Sequence, residues 1–170
     1  MNIDLIAELK TSKEFFELYK PEDLKKLFYN RSLIFYSVIN HDLNSKYEIS
    51  NFLLNEGVDA LGTDSDGYTV LHLLLANSPH DFQKTADLCK RFIDLGVDVN
   101  VLAKDKTLAF FWIILDDRYN DEELMPLYKL FFAQPNFDLH TKGKWGLSLL
   151  DIATQNPCRK TLLKLMEEYL

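Results

Sequence analysis

The sequence predicts an all-α protein in which a unit of two helices recurs about four times. The first sign of this repeat is a short motif that returns with an aspartate at nearly constant spacing. The motif is "GVD" at 57–59 and again at 96–98, with a weaker "NFD" at 136–138, so its aspartates stand 39 and 40 residues apart. A fixed period of this length is typical of proteins whose helical units stack side by side.

A second series of motifs keeps the same period. Its members are "SLIFYS" at Ser32, "TVLHLL" at Thr69, "TLAFFW" at Thr107 and "SLLDIA" at Ser148, spaced by 37, 38 and 41 residues. Between the markers, "DFQKTADLCKRFIDLG" and "EELMPLYKLFFAQ" place apolar residues at the spacing of an amphipathic helix. We expect Pro126 of the second stretch in the first helical turn, where a missing amide hydrogen costs nothing. Each unit is therefore predicted to contain a turn, a short helix, a second helix and a return loop.

The clearest unit, with "DGYTVLH" at 66–72 and "LGVDVN" at 95–100, resembles the ankyrin repeats. That family's signature is Thr-Pro-Leu-His-x-Ala in the first helix and Gly-Ala-Asp-x-Asn after the second. The resemblance covers residues 31–170 and implies one continuous helical solenoid of degenerate repeats. Its units are expected at 31–65, 66–103, 104–142 and 143–170. The chain departs from the signature at the proline, which is replaced by Leu33, Val70, Leu108 and Leu149.

His72 stands in an otherwise apolar run, where it could be a catalytic base, a metal ligand or a structural residue. The resemblance implies the structural role, in which its ring hydrogen-bonds the backbone and the neighbouring turn. Thr69 suits the N-cap of the same helix. By the same resemblance Gly96 and Asp98 belong to the motif after the second helix, and Asp151 occupies the histidine position of the last unit.

Both ends of the chain carry helix signals outside the central units. Residues 1–30 are expected to form N-terminal capping helices, because the first repeat of a stack needs its apolar face covered. One of these helices would start at the capping box "TSKE", residues 11–14, and another would span "PEDLKKLFYN", residues 21–30, with Leu24, Leu27 and Phe28 on one face. The polar Lys160, Lys164, Glu167 and Glu168 suit a final helix that faces solvent.

The composition favours a globular protein of one domain. The 170 residues are 47% hydrophobic and 13% aromatic, and their net charge of −7 disfavours nucleic acid or an anionic membrane as the main partner. The start "MNIDLIAELK" lacks the basic region and apolar run of a signal peptide, and no run is long enough to span a bilayer. Cys89 and Cys158 are expected to be buried thiols rather than a disulfide. We therefore expect a cytoplasmic protein.

The sequence offers little support for catalysis or metal binding. None of the four histidines forms a metal-binding pair, and the chain lacks a glycine-rich phosphate loop and a Gly-x-Ser-x-Gly elbow. Asp64 and Asp66, which alternate before Gly67, could suggest calcium, but the closing glutamate of an EF-hand loop is missing. The same acidic residues are expected in an ankyrin turn. We therefore expect neither an enzyme nor a cofactor.

Two surfaces compete as the predicted binding site for a protein partner. The first is formed by the repeat tips, where Tyr and Trp are candidate anchors because aromatic residues dominate interface hot spots; its residues are Asp66, Tyr68, Lys104, Lys106, Lys144 and Trp145. Trp145 could instead fold back over the last repeat. The second is the acidic stretch "DDRYNDEE", which could meet a basic partner or simply be solvated; its residues are Asp116, Asp117, Tyr119, Asp121, Glu122 and Glu123.

The most specific function that these patterns suggest is inhibition of another protein. Small acidic ankyrin proteins resemble bacterial immunity proteins, which neutralise a toxin, and a basic nuclease toxin would suit an acidic inhibitor. This hypothesis expects a monomer that binds its cognate toxin and covers its active surface. The alternative is a general ankyrin scaffold or effector that binds another cellular protein. An enzyme with an unrecognised site is the third possibility.

Overall fold

The computed structural model describes residues 2–170, and within them the protein is all-α, which confirms the predicted class. Ten α-helices and no β-strand occur in this range. The helices are α1 (Ile3–Leu9), α2 (Ser12–Leu18), α3 (Ile34–Ser37), α4 (Leu43–Asn55), α5 (Val70–Ala76), α6 (Phe82–Asp94), α7 (Phe111–Leu115), α8 (Asp121–Phe132), α9 (Leu149–Gln155) and α10 (Lys160–Tyr169).

From α3 onward the helices form two layers. In the first layer, each short helix contacts the next in the order α3, α5, α7 and α9. In the second layer, the longer helices do the same in the order α4, α6, α8 and α10. One apolar core runs between the layers. At α7 and α8 this core is aromatic, with the ring of Phe110 centred 4.7 Å from that of Phe131 and 5.1 Å from that of Phe137. Each helix therefore buries its apolar side against its own partner, against neighbours from adjacent pairs, or against both.

Polar N-caps fix where most of these helices begin. Thr69 and Ser148 form capping boxes with His72 and Asp151 at the starts of α5 and α9, and Asn120 forms one with Glu123 at the start of α8. In each box the cap side chain accepts from a backbone amide that would otherwise lack a partner. Helix α7 lacks a side-chain cap and begins only at Phe111, four residues after the marker threonine.

The N-terminal segment covers the first pair of the two layers. Helix α1 packs against α3, and α2 packs against α4. The predicted capping box at Thr11 and Glu14 is present and starts α2. The helix predicted over 21–30 is wrong, because only a 3-10 helix, Pro21–Lys25, forms there. The chain then turns sharply between Phe28 and Arg31, and this turn leaves Leu27 65% exposed instead of packed on a helical face.

Three further expectations are settled by the structure. Pro126 lies in the second turn of α8 and not in the first, because the cap at Asn120 starts the helix earlier than the apolar spacing suggests. Cys89 is buried as predicted, but Cys158 is exposed because it precedes α10 in a surface turn. The polar residues of α10, Lys160, Lys164, Glu167 and Glu168, face solvent as predicted. Within 2–170 no helix has the length and apolar character needed to cross a membrane.

Candidate interaction surface

Four tight turns lie along one edge of the helical layers, and we call them the turn row: 28–31, 64–68, 103–107 and 143–147. The last three share one hydrogen-bond pattern. The first residue donates its amide to the carbonyl of the fifth, at 2.9, 3.0 and 2.9 Å, and the fourth donates to the carbonyl of the first, at 3.0, 2.8 and 3.1 Å. The same local geometry therefore recurs with the spacing seen in the sequence.

The turns are also bonded to one another along the row. Lys104 donates its amide to the carbonyl oxygen of Asp66 at 2.9 Å, and Lys144 donates to that of Lys106 at 2.8 Å. At the other end, the Arg31 guanidinium pairs with Asp64 at 3.0 Å. These bonds align the four turns into a continuous strip.

Every non-glycine residue with a left-handed backbone in the described chain lies in this strip. The four are Tyr29 (φ 51°), Asn30 (φ 63°), Lys106 (φ 62°) and Trp145 (φ 61°). All four side chains are exposed. A residue with a Cβ atom loses roughly 1–2 kcal/mol in this region of backbone conformation, so the turns hold these side chains outward at a conformational cost.

The predicted tip residues all lie in the turn row, but they differ in exposure. Asp66, Lys104 and Lys106 are exposed, and Trp145 is 65% exposed, so it does not fold back over the last pair of helices. Lys144 is half-buried. Tyr68 is also half-buried, because its ring packs against that of His72 with centroids 5.5 Å apart, and it is therefore a poorer anchor than the sequence suggested.

Sequence reasoning missed Tyr29, Asn30 and Asp105, which all lie in the strip. Tyr29, which lies in the segment predicted to be helical, is 88% exposed. Asp105 accepts from Lys144 Nζ at 2.9 Å and from the Thr107 amide and hydroxyl at 3.1 and 2.7 Å. Partial burial opposes the charge on Asp105, but these hydrogen bonds outweigh it and hold the pKa of the carboxyl below its ordinary range. The Asp-x-Thr pattern, typical of a side-chain-stabilised turn, could have revealed Asp105.

His72 links helix α5 to the turn row. Its Nδ1 accepts from the Thr69 amide at 3.2 Å, and its Nε2 donates to the carbonyl oxygen of Thr107 at 3.0 Å. Burial lowers the pKa of His72, so the ring is neutral at pH 7. At the equivalent place in the last unit, Asp151 accepts from the Ser148 amide at 2.7 Å and pairs with Lys142, which lowers the pKa of its carboxyl.

The three aspartates of the first motif series play the same local role. Asp59, Asp98 and Asp138 each accept from the amide two residues later, at 2.9, 2.8 and 2.8 Å. Gly96 has φ 102°, a conformation that suits the residue after a helix end and that side chains rarely adopt. These residues shape the return loops that follow the long helices.

The acidic stretch is largely occupied by bonds within the protein. Both carboxylate oxygens of Asp116 accept from the Arg118 guanidinium, at 2.8 and 2.7 Å, and these bonds lower its pKa. Asp117 accepts from Asn156 at 2.9 Å. The Tyr119 ring packs edge-on against Phe82, with centroids 4.6 Å apart. Asp116 is therefore engaged within the protein, whereas the Asp117 side chain is still 59% exposed.

The remaining acidic residues form the first turn of α8 instead of a loop. Asp121 accepts from the Tyr128 hydroxyl at 2.8 Å and from the Thr161 amide at 2.7 Å. Glu123 belongs to the capping box of Asn120, whereas Glu122 is exposed.

A buried arginine that the sequence did not reveal organises this region. The Arg159 side chain has no exposed surface, and it donates to the carbonyl oxygens of Ile114, Tyr119 and Asp116 at 3.1, 2.9 and 2.6 Å.

The calcium alternative for Asp64 and Asp66 is not supported by the geometry. Asp64 already accepts from the Asp66 and Tyr68 amides, both at 2.9 Å, in addition to its pairing with Arg31. Between Asn2 and Leu170 no group of three or more His, Cys, Asp or Glu side chains is placed to hold a metal ion.

Comparison with known proteins gives a structural relative. No protein-family model and no curated protein sequence matches the chain. The crystal structure of a functionally unknown protein from Leptotrichia buccalis C-1013-b matches it with a TM-score of 0.84 and 32% sequence identity. The match covers 99% of this chain and 92% of the other. Since this identity extends over nearly the whole of both chains, the protein belongs to the same family as the Leptotrichia buccalis protein.

Proposed function

We propose that this protein is an ankyrin-like repeat protein that binds another protein through its turn row and inhibits it by covering its active surface. The observation that carries the proposal is the position of the four strained residues. Tyr29, Asn30, Lys106 and Trp145 are all exposed, and all lie in one strip. Strain that persists at the surface clusters at functional sites more often than elsewhere.

The ankyrin-like assignment is supported by three recurring features. The turns at 64–68, 103–107 and 143–147 have the same hydrogen bonds, the short and long helices form two parallel series, and the aspartates after the long helices repeat one local bond. Such stacks generally act by presenting extended binding surfaces.

The contrast between the two candidate faces favours the turn row. Two large aromatic side chains, Tyr29 and Trp145, are 88% and 65% exposed in the turn row, and aromatic residues are frequent hot spots of interfaces. In the acidic stretch, Asp116 accepts from Arg118. Asp121 accepts from Tyr128 and Thr161. These two carboxylates are therefore less available to a partner than the exposed aromatic side chains of the turn row.

The partner that we propose is a toxin of the same cell or its neighbours. This part of the proposal rests on the resemblance of small acidic ankyrin proteins to immunity proteins. The net charge of −7 favours long-range attraction to a protein of opposite charge. A general scaffold or effector that binds another cellular protein is the alternative, and it predicts several partners instead of one.

Affinity capture from the native cell, with three forms of the protein as bait, tests the proposal. The forms are the wild type, a turn-row variant (Tyr29→Ala with Lys106→Glu and Trp145→Ala) and a matched acidic-stretch variant (Asp117→Asn with Glu122→Gln). We expect one partner in one-to-one stoichiometry, retained by the acidic-stretch variant and lost by the turn-row variant. The partner should be toxic when expressed alone and harmless when this protein is co-expressed.

Other results would overturn parts of the proposal. A partner that is lost only by the acidic-stretch variant would move the interface to that face. Capture of many substoichiometric partners, or of one partner that is not toxic, would favour the general scaffold over the toxin inhibitor.

A further inference from the structure

The loop between α5 and α6, residues 77–81, is fastened to α4 by a buried ammonium group. Lys46 of α4 has no exposed surface, and its Nζ donates to the carbonyl oxygens of Asn77 and Pro79 at 2.6 and 2.9 Å. Within residues 2–170 no carboxylate forms an ion pair with Lys46. Since a fully buried lysine is rarely found without an anion, this charge depends on the α5–α6 loop for its polar contacts.

The same loop carries His80 beside this charge. The ring of His80 is half-buried, stacks on Phe82 with centroids 5.4 Å apart, and places Nδ1 3.3 Å from the Thr85 hydroxyl. Burial and the nearby Lys46 ammonium lower the pKa of His80 to about 4, although a backbone hydrogen bond with Leu75 opposes the shift. The ring is therefore neutral at pH 7.

The segment between α7 and α8 adds a second cation to this cluster. Arg118 donates to the Ser78 hydroxyl at 2.9 Å, and its charge, like that of Lys46, opposes protonation of His80. The Asp116 carboxylate favours protonation, but both of its oxygens already accept from Arg118, at 2.8 and 2.7 Å.

The start of α6 contributes the remaining charged groups near the loop. Asp81 caps this helix by accepting from the Lys84 amide at 3.1 Å, and its carboxylate lies 4.0 Å from the Lys84 ammonium. The Tyr47 hydroxyl accepts from the Asp81 amide at 2.9 Å. A protonated His80 would therefore meet two cations, while the neighbouring carboxylates are engaged in other bonds.

We propose that the α5–α6 loop is released by acid: when His80 takes up a proton, the loop detaches from Lys46 and Arg118 while α4 and α6 stay folded. Opening lets water solvate both the imidazolium and the Lys46 ammonium, which repel each other in the closed loop. Opening is local because no residue of 77–81 belongs to the apolar core, and such segments open at a lower free energy than the core. This device does not depend on the proposed partner.

The direction of the pH dependence follows from the two states of the loop. In the open loop the imidazole regains an ordinary pKa near 6.5, so between this value and about 4 the open form binds more protons than the closed form. The closed loop is therefore favoured above pH 6.5 and is lost as the pH falls toward 4. We expect the ratio of open to closed forms to rise at least about tenfold between pH 7 and 5.

Amide hydrogen exchange, followed by NMR at a series of pH values and corrected for the intrinsic exchange rate, tests the inference. The reporter is the Asp81 amide, which is bonded to the Tyr47 hydroxyl. The references are the amides of Ile49 in α4 and Leu88 in α6, two buried residues. From pH 7 to 5, the protection of the Asp81 amide should fall at least about tenfold, and that of the two references should stay unchanged.

Variants show whether His80 is the trigger. His80→Phe keeps an aromatic ring against Phe82 but cannot take up a proton, and His80→Gln is a second uncharged replacement of smaller size. In both variants the protection of the Asp81 amide should no longer depend on pH in this range. Lys46→Met should reduce the acid-induced loss, because one of the two repelling charges is gone. His140→Gln, at an exposed histidine, is the matched control and should behave as the wild type does.

Three results would overturn the inference. A parallel loss of protection at Asp81, Ile49 and Leu88 would assign the acid effect to unfolding of the whole protein. Constant protection of Asp81 in the wild type would show that the loop stays closed, and an unchanged acid-induced loss in both His80 variants would assign the trigger to another group.

Discussion

The Nε2 atom of His72 lies 3.0 Å from the carbonyl oxygen of Thr107, which stands 35 residues later in the chain. The Nδ1 atom of the same ring accepts from the Thr69 amide. One side chain therefore caps its own helix and holds the following turn against it. Because the ring is buried, both bonds form away from competing water.

We expect His72→Leu to lower the free energy of unfolding by about 2 kcal/mol, because it leaves the Thr69 amide without an acceptor and removes one bond to Thr107. His72→Gln should lose less, since glutamine can complete a capping box with Thr69. Urea unfolding measures both. His140→Gln, at an exposed histidine, serves as the control and should change stability by less than about 0.5 kcal/mol. Equal losses for the two His72 variants would assign the whole effect to the bond with Thr107.

Gly143→Ala should destabilise the protein through packing rather than through backbone conformation. A Cβ atom at this position would lie 2.5 Å from Phe111 Cε2 and 2.7 Å from the Lys106 carbonyl oxygen. We expect a loss of about 2–3 kcal/mol, as for other overpacked sites. Gly62→Ala is the contrasting variant, because it meets no atom within 4 Å but has φ +87°. Thermal unfolding should show a loss of only about 1–2 kcal/mol for Gly62→Ala. A larger loss for Gly62→Ala than for Gly143→Ala would contradict the tight approach of Gly143 to Lys106.

Arg159→Met should open the segment between α7 and α8. It leaves the carbonyl oxygens of Ile114, Tyr119 and Asp116 without their shared donor, and we expect a loss of about 3 kcal/mol or more, because each unpaired buried acceptor costs about 1–3 kcal/mol. Trypsin should then cleave faster after Arg118, whose side chain is exposed in this segment. Lys160→Met changes an exposed neighbour and should leave both stability and cleavage unaltered. An unchanged cleavage rate in Arg159→Met would show that other contacts hold the segment.

We expect the protein to become more stable as the pH rises above 8, because the buried Lys46 side chain then loses its proton. Its side chain is fully buried, its Nζ donates to the carbonyl oxygens of Asn77 and Pro79 at 2.6 and 2.9 Å, and burial lowers its pKa to about 8. The unfolded chain keeps the proton up to about pH 10.4, so between these values it binds more protons than the folded protein. The stability linked to Lys46 is therefore gained as the pH rises through 8 and lost as it falls.

Urea unfolding at a series of pH values measures this effect. We expect a gain of about 1–2 kcal/mol between pH 8 and 9.5 in the wild type, and none in Lys46→Met. Lys84→Met, at an exposed lysine, should keep the wild-type slope. The same slope in the Lys46 variant as in the wild type would assign the pH dependence to another group.

Much of the helical architecture could be predicted from local patterns. The capping boxes at Thr11, Thr69 and Ser148 are short-range contacts, so the residue types at their fixed spacing were enough to locate three helix starts. The helical spacing of apolar residues likewise predicted α6 and α8. Where the local signal conflicted with later contacts, the prediction failed. The segment 21–30 has a helix start and apolar spacing, but the turn at Phe28 and Arg31 ends the helix at Lys25.

By itself the sequence determined the helical class and the turns near Asp66, Lys104 and Lys144, because these depend on neighbours within a few positions. Only the tertiary structure decided which side chains are free. Asp116 and Asp121 look available in the sequence, yet Arg118 and residues of α8 and α10 occupy them. Tyr29 looks like part of a helix, yet it is the most exposed aromatic of the turn row. Exposure depends on contacts between distant parts of the chain, and only the folded structure brings those parts together.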